Sequence, residues 1–196
     1  MVAMRYSPEH KSETHDRIVK KAAEEFRRNG LEGIGINNLM SALGLTHGGF
    51  YAHFPSKDSL IGDASVCILE ENLARMVGVA EAAPSGKAVQ AILDYYLSPQ
   101  HRDNPAMGCV LPSLASELAR KPKDVRRHFT KTLESAFDRL AALMPGRTQD
   151  KRKDQAIAFF TAMAGAILVA RAVSDPALSD RILSSTRQSL AATFTQ

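Results

Sequence analysis

A chain of 196 residues is long enough to bury a sizeable core, as one large domain or as a small one plus a larger one. Its 44% hydrophobic and 23% charged residues are ordinary for a soluble globular protein, and a formal charge of +4 permits nucleic-acid binding without requiring it. Two cysteines, Cys67 and Cys109, exclude a disulfide framework and suit a reducing cytoplasm.

The first ten residues lack the apolar core of a signal peptide. Residues 1–6 read as an arm, either a plain mobile tail or one whose Arg5 follows a minor groove. Ser7-Pro8-Glu9 carries the marks of a helix start: a cap, a proline in the first turn and an acid favoured by the helix dipole. Ile18, Ala22 and Phe26 give that helix an inner face, with Val19 and Ala23 beside it. Asn29-Gly30 ends it, and Leu31 and Ile34 fill the corner that follows.

The next stretch, 35–57, reads as two short helices joined by a tight turn. Ile36, Leu39, Met40 and Leu43 recur at helical spacing. Gly44 is the stop, where a left-handed backbone would penalise a side chain. Thr46 is placed to cap the second helix, Phe50 and Phe54 to bury it, and Pro55 to end it. Thr46, His47, Tyr51, His53 and Lys57 are side chains able to donate to phosphates or base edges. Gly48-Gly49 costs helix stability, about 1 kcal/mol each relative to alanine. Either the backbone there must approach a partner closely, or the stretch is a glycine-rich loop. Through residue 57 the chain holds eight Lys/Arg against six Asp/Glu, so any attraction for DNA depends on where charges sit rather than on bulk field.

Ser56 should cap a long helix to about Ala82, with Leu60, Ala64, Cys67/Ile68, Leu69, Leu73 and Met76 on its apolar face. Ala82 to Gly86 breaks it. Helices are expected at 87–97, 109–120, 122–144, 149–173 and 177 to about 193, with a loop from Ser98 to Gly108. The apolar run Ala156–Ala170 is too short for a span, which needs about 20 residues, so it reads as a buried helix and not a membrane anchor. No strand alternation or repeat is evident.

The run Phe50-Tyr-Ala-His-Phe-Pro-Ser-Lys-Asp-Ser-Leu60 resembles the DNA-binding domain of the TetR family of transcriptional repressors. So do Ile18-Val-Lys-Lys-Ala-Ala-Glu-Glu-Phe26, Asn29-Gly30-Leu31 and Ala42-Leu-Gly-Leu-Thr46. The likeness runs from about Thr14 to Ile61. It implies an all-α fold of about nine helices, with a helix-turn-helix DNA-binding domain at 7–57 and a helical effector-binding and dimerisation domain at 58–196. The implied function is a ligand-responsive repressor on a palindromic DNA operator, working as a homodimer. The helices at 122–144 and 149–173 would pair with their mates, in place of a fully intramolecular core. A helical small-molecule or redox-sensing protein acting through a protein partner is the alternative.

Position by position, the resemblance implies DNA contacts from Asn37, Thr46, His47, Gly48, Gly49, Tyr51, His53 and Lys57. Gly35, Gly49 and Ala52 depart from the family pattern, and the last two favour readout by shape or thymine methyls. An effector pocket, apolar and set between helices, has Met107, Leu114, Phe129, Phe159, Phe160 and Met163 as candidate lining, each equally readable as plain core. Cys109, at a helix start where the dipole lowers a thiol pKa, is either a sensor or a small buried thiol. No catalytic constellation, metal motif or phosphate loop is found, so no enzyme activity and no cofactor are expected.

Overall fold

The computed structural model describes residues 8–195, the side chain of Pro8 excepted; the expected arm with Arg5 and the Ser7 cap lie outside the described residues. Three helices make the amino-terminal head: α1 (Pro8–Asn29), α2 (Ile36–Ala42) and α3 (His47–Phe50). Ile18, Ala22 and Phe26 of α1 join Leu39, Met40, Phe50 and Phe54 in its buried cluster. Gly44 has φ +69° and turns the chain between α2 and α3, a backbone that an L side chain rarely adopts.

The body follows as α4 (Lys57–Ala82), α5 (Ala88–Tyr96), α6 (Pro99–Asp103), a single 3-10 turn (Pro105–Met107), α7 (Val110–Leu118), α8 (Lys123–Ala141), α9 (Gln149–Ala172) and α10 (Pro176–Phe194). No strand occurs among the described residues. The Ser56 hydroxyl caps α4 by accepting from Ser59 N at 3.1 Å. Helix α4 packs on α1, α5 and α8, and α8, α9 and α10 pack in succession. Buried side chains form one connected cluster running from Phe26 and Phe54 through Leu60, Ile61 and Ile68 to Phe159 and Phe160.

The all-α expectation holds, with three differences. The stretch 98–108 is not a plain loop: α6 forms there because Ser98 accepts from His101 N at 3.1 Å and Pro99 fills the first helical position. Regular helix in the reader stops at Phe50 and not Phe54. Beyond it the chain tightens into turn bonds, Ala52 N to Gly49 O at 3.3 Å and His53 N to Phe50 O at 2.9 Å.

The third difference concerns the outer faces of the last helices. Helix α8 shows solvent a charged face, with Lys123, Arg127, Lys131, Glu134, Asp138 and Arg139 all exposed. The uncovered apolar side chains are instead Ile157, Leu168 and Val169 on α9 and Leu178 on α10. Of the two helices expected to pair with their mates, the one at 149–173 thus carries the exposed apolar side chains and the one at 122–144 turns charge outward. Helix α9 is long and apolar enough by composition to cross a membrane, yet its Ala156, Phe159, Phe160, Met163 and Ile167 are packed inside the bundle.

Candidate nucleic-acid interface

Helix α3 is set by its cap. Thr46 has an extended backbone, and its Oγ accepts from Gly49 N at 3.2 Å. A Cβ on Gly49 would stand 3.3 Å from that Oγ, so the glycine keeps the cap tight. A Cβ on Gly48 would meet nothing within 4 Å. The folded chain therefore supplies no steric reason for glycine at 48.

Around this bare backbone the side chains point outward. His47 and Asn37 are exposed, and Tyr51 is 56% exposed with its ring edge-on to His47 at 5.6 Å. Tyr51 is positioned from beneath by Phe50, edge-on at 5.2 Å, and Phe50 stacks on Phe54 at 5.4 Å. A phenol that large left in water at the tip of a short helix is a polar handle without a protein partner ring above it.

His53 behaves differently. It is half-buried, with its Nδ1 shielded and unpartnered, and its ring lies 6.4 Å from Phe54 and 6.5 Å from His15. Burial first, then the charges of His15 and Lys11, hold it below the usual histidine range. His15 in turn stacks on Phe54 at 4.5 Å and faces Asp63 at 3.5 Å. An open hollow of about 640 Å³ lies between α1 and α3, bordered by Lys11, Thr14, Thr46, Gly49, Ala52 and His53. Sequence reasoning missed Lys11 and Thr14; their position in the first turns of α1, beside the reader, was the available signal.

Lys57 is not a free cation. Its Nζ lies 2.7 Å from Glu32 Oε2, while Lys121 Nζ lies 2.8 Å from Glu32 Oε1 and 3.0 Å from Asp58 Oδ1. The Lys121 and Lys57 hydrogen bonds pull the Glu32 carboxyl down to about 2. A phosphate reaching Lys57 must replace Glu32. The same corner ties head to body: Leu31 N donates to Glu117 Oε2 of α7 at 2.9 Å, and Arg27, its side chain 4% exposed, pairs with Glu71 of α4 at 3.0 Å.

The expected effector residues do not converge on one cavity. Met107 is 53% exposed, whereas Cys109, Leu114, Phe159, Phe160 and Met163 are closed in the core and Phe129 is half-buried. Phe160 packs edge-on to Tyr96 at 6.0 Å and Phe137 at 6.2 Å, while Phe159 packs the other way, onto Phe194 at 5.4 Å. Burial pushes the Cys109 thiol up, outweighing the bonds from Tyr96 and Leu111 and the charges of Arg171 and Arg75. The dipole expectation fails because this helix start is sealed from water, and a thiol held protonated is a poor sensor. Cys67, half-buried beside Glu71, is likewise pushed up to about 11.

A glycine-turned helix pair braced by a third helix, presenting a capped and solvent-facing reader on top of a larger helical body, defines a helix-turn-helix DNA-binding protein. Residues 18–64 match the family model described as bacterial regulatory proteins, tetR family. Over 92 residues the chain is 27% identical to the uncharacterized HTH-type transcriptional regulator YerO of Bacillus subtilis, a match covering 47% of this chain and 32% of that protein. The matched part is thus about a third of that relative's length. Among solved structures, a TetR family transcriptional regulator from Cytophaga hutchinsonii superposes with a TM-score of 0.75 at 21% identity, covering 96% of this chain and 98% of that one. A TetR transcriptional regulator from Chloroflexus aurantiacus is 26% identical with a TM-score of 0.64, covering 94% and 95%. The chain is thus similar to TetR family transcriptional regulators, over residues 18–64 in sequence and over nearly its whole length in fold.

Proposed function

We propose that this chain is a ligand-responsive repressor working in the cytoplasm as a homodimer on an inverted-repeat operator. Residues 7–57 serve as its reading unit and 58–196 as its sensing and dimerising unit. The observation that carries the reading is the bare Gly48 backbone beside exposed His47 and Tyr51, on a helix held by the Thr46 cap. Gly48 shares its open surroundings with other surface glycines such as Gly78, but it alone lies beside His47 and Tyr51 on the reader, where a close-approaching duplex would use the bare backbone.

In this reading His47 and the Gly48 backbone approach base edges, and Asn37, Thr46 and Tyr51 hold phosphates. Gly49 and the shielded His53 shape the reader from behind. Lys57 takes a phosphate by releasing Glu32. Dimerisation uses the apolar strip of Ile157, Leu168 and Val169 with Leu178, so that two heads meet half-sites about 34–36 Å apart. A small molecule favouring the DNA-free arrangement shifts the population away from the operator.

Selection from a random duplex pool, followed by footprinting, tests this. An enriched inverted repeat with half-sites one helical turn apart is expected. A pool that enriches no inverted repeat, or a protein sedimenting as a monomer at micromolar concentration, overturns it.

A further inference from the structure

One group in the body core has no use within the chain. Asn72, on α4, is 0% exposed, and neither its Nδ2 nor its Oδ1 has a hydrogen-bond partner. It occupies the register of a core residue, between Leu69, Leu73 and Met76, where leucine would fill the space at no polar cost. Leaving both ends of a buried amide unmade is among the more expensive arrangements a core can hold.

A second such group lies at the same level. Helices α4 and α5 pack along one another across the short connection 83–87. At 1.5 Å per residue, Asn72 lies about 15 Å before Ala82 and Tyr96 about 12 Å after Ala88, so the two are level to within one turn. Tyr96 is also 0% exposed, and its hydroxyl has no nitrogen or oxygen partner; it faces the Cys109 thiol. Its ring is fixed edge-on between His101 at 4.5 Å and Phe160 at 6.0 Å.

We infer that Asn72 and Tyr96 are the polar anchors of the effector site, and that the effector is a small uncharged molecule with an apolar body and one amide, carbonyl or hydroxyl end. This rests on the ligand-responsive reading above. The charge limit follows from the neighbours. Arg171 and Arg75 set a positive potential that repels a cation, but they are already engaged. Arg171 donates to the carbonyls of His101 and Arg102, both at 2.8 Å, and to Ser113 Oγ at 3.1 Å; Arg75 donates to the Met107 carbonyl at 2.8 Å. Arg75 Nε is buried without a partner, so one charged donor remains, but a carboxylate would lose its hydration on entering the core, while a two-ended amide suits a neutral partner. Asn72 stands on the helix that begins at Lys57, so a ligand bonded there acts directly on the head's supporting rod.

The test uses the full-length protein with benzamide, benzoate and toluene as probes, read by thermal unfolding and calorimetry, in wild type, Asn72→Leu and Tyr96→Phe. Asn72→Leu is expected to raise the unprobed midpoint by about 2–6 °C, because an orphaned polar group is removed. Benzamide is expected to bind wild type more tightly than toluene or benzoate do, to lose at least tenfold in Asn72→Leu and to lose less in Tyr96→Phe. Toluene should bind Asn72→Leu at least as well as wild type. A lowered midpoint in Asn72→Leu, equal benzamide affinity across the three proteins, or no preference of wild type for benzamide over toluene overturns the inference; the amide then holds a water or an internal partner. Should Asn72→Leu fail to fold, Tyr96→Phe decides by the same benzamide comparison. Operator selection with each variant separates the two readings: intact inverted-repeat binding without benzamide preference removes this site alone, whereas loss of specific DNA binding in wild type strikes the regulator reading itself.

Discussion

The head and the body treat their polar groups in opposite ways. Where the head meets the body, charged groups close on one another at the rim, Lys57 and Glu32 of the head on Lys121 and Asp58 of the body, while His47 and Tyr51 face solvent. In the body, the Asn72 amide is sealed inside with no hydrogen-bond partner, and the buried Tyr96 hydroxyl faces only the Cys109 thiol. A reader of DNA presents its donors; under the proposed effector reading, a binder of small apolar molecules hides them.

That comparison breaks first at Phe54. Only 1% exposed and stacked on Phe50 and His15, it should cost about 3–5 kcal/mol on truncation to alanine, seen as a lowered midpoint in thermal unfolding together with loss of DNA binding. Survival of both would mean that the head does not depend on its aromatic stack. Next comes Glu117→Ala, which orphans the Leu31 N–H beneath a fully buried residue and should cost about 1–3 kcal/mol in denaturant melts. An unchanged midpoint would show that water takes over the bond.

Two charge experiments sharpen the difference further. Lys57→Ala should weaken binding to all duplexes alike and lower the salt slope by about one, with Glu32→Gln shifting affinity the other way by freeing the ammonium. A slope left unchanged removes Lys57 from the phosphate contacts. For pH, the Glu32 carboxyl at about 2 lies below its ordinary value of 4.5, so its contribution is present above 4.5 and is lost as pH falls toward 2. His101, which accepts from Cys109 N at 3.3 Å, is pushed down to about 4 by burial. In the unfolded chain it takes up a proton from about 6.5 downward, so it removes stability over the separate window from 6.5 to 4. Acid titration of stability should show both declines in wild type and a smaller lower one in Glu32→Gln, where Glu25 and Asp103, also held below their ordinary values, still contribute.

The smallest expected effect is the most diagnostic. Gly48→Ala meets no clash and should leave stability unchanged or raise it by up to about 1 kcal/mol, while operator affinity falls. Equal affinity would make the glycine a mere loop residue.

Most of the head was legible because its signals are local. Gly44, Thr46, Ser56 and Pro55 act on residues within one turn, and the spacing of Ile18, Ala22 and Phe26 survives into the packed state. The site was read less well. Lys57 meets Glu32 and, through it, Lys121, a partnership between distant segments that no spacing encodes. Cys109 stands at a helix start in the sequence, a position that leaves sensor and buried thiol both open; its complete burial is visible only in the fold. Ser98-Pro99 carried the same cap signal as Asp175-Pro176 and was passed over inside a proline-rich stretch. Asn72 was visible as a polar residue on an apolar stripe, yet only the fold shows that both ends of it are unbonded.

Helix α7 has a consequence of its own. It is a single stiff peg of about 13 Å, with Cys109 and Val110 lodged in the sensing core at one end and Glu117 gripping the Leu31 amide at the other. Nothing along it is a joint where a displacement would be absorbed. Under the proposed regulation, a displacement beside Cys109 is expected to travel along this rod to the α1–α2 corner and to tip the reading head whole.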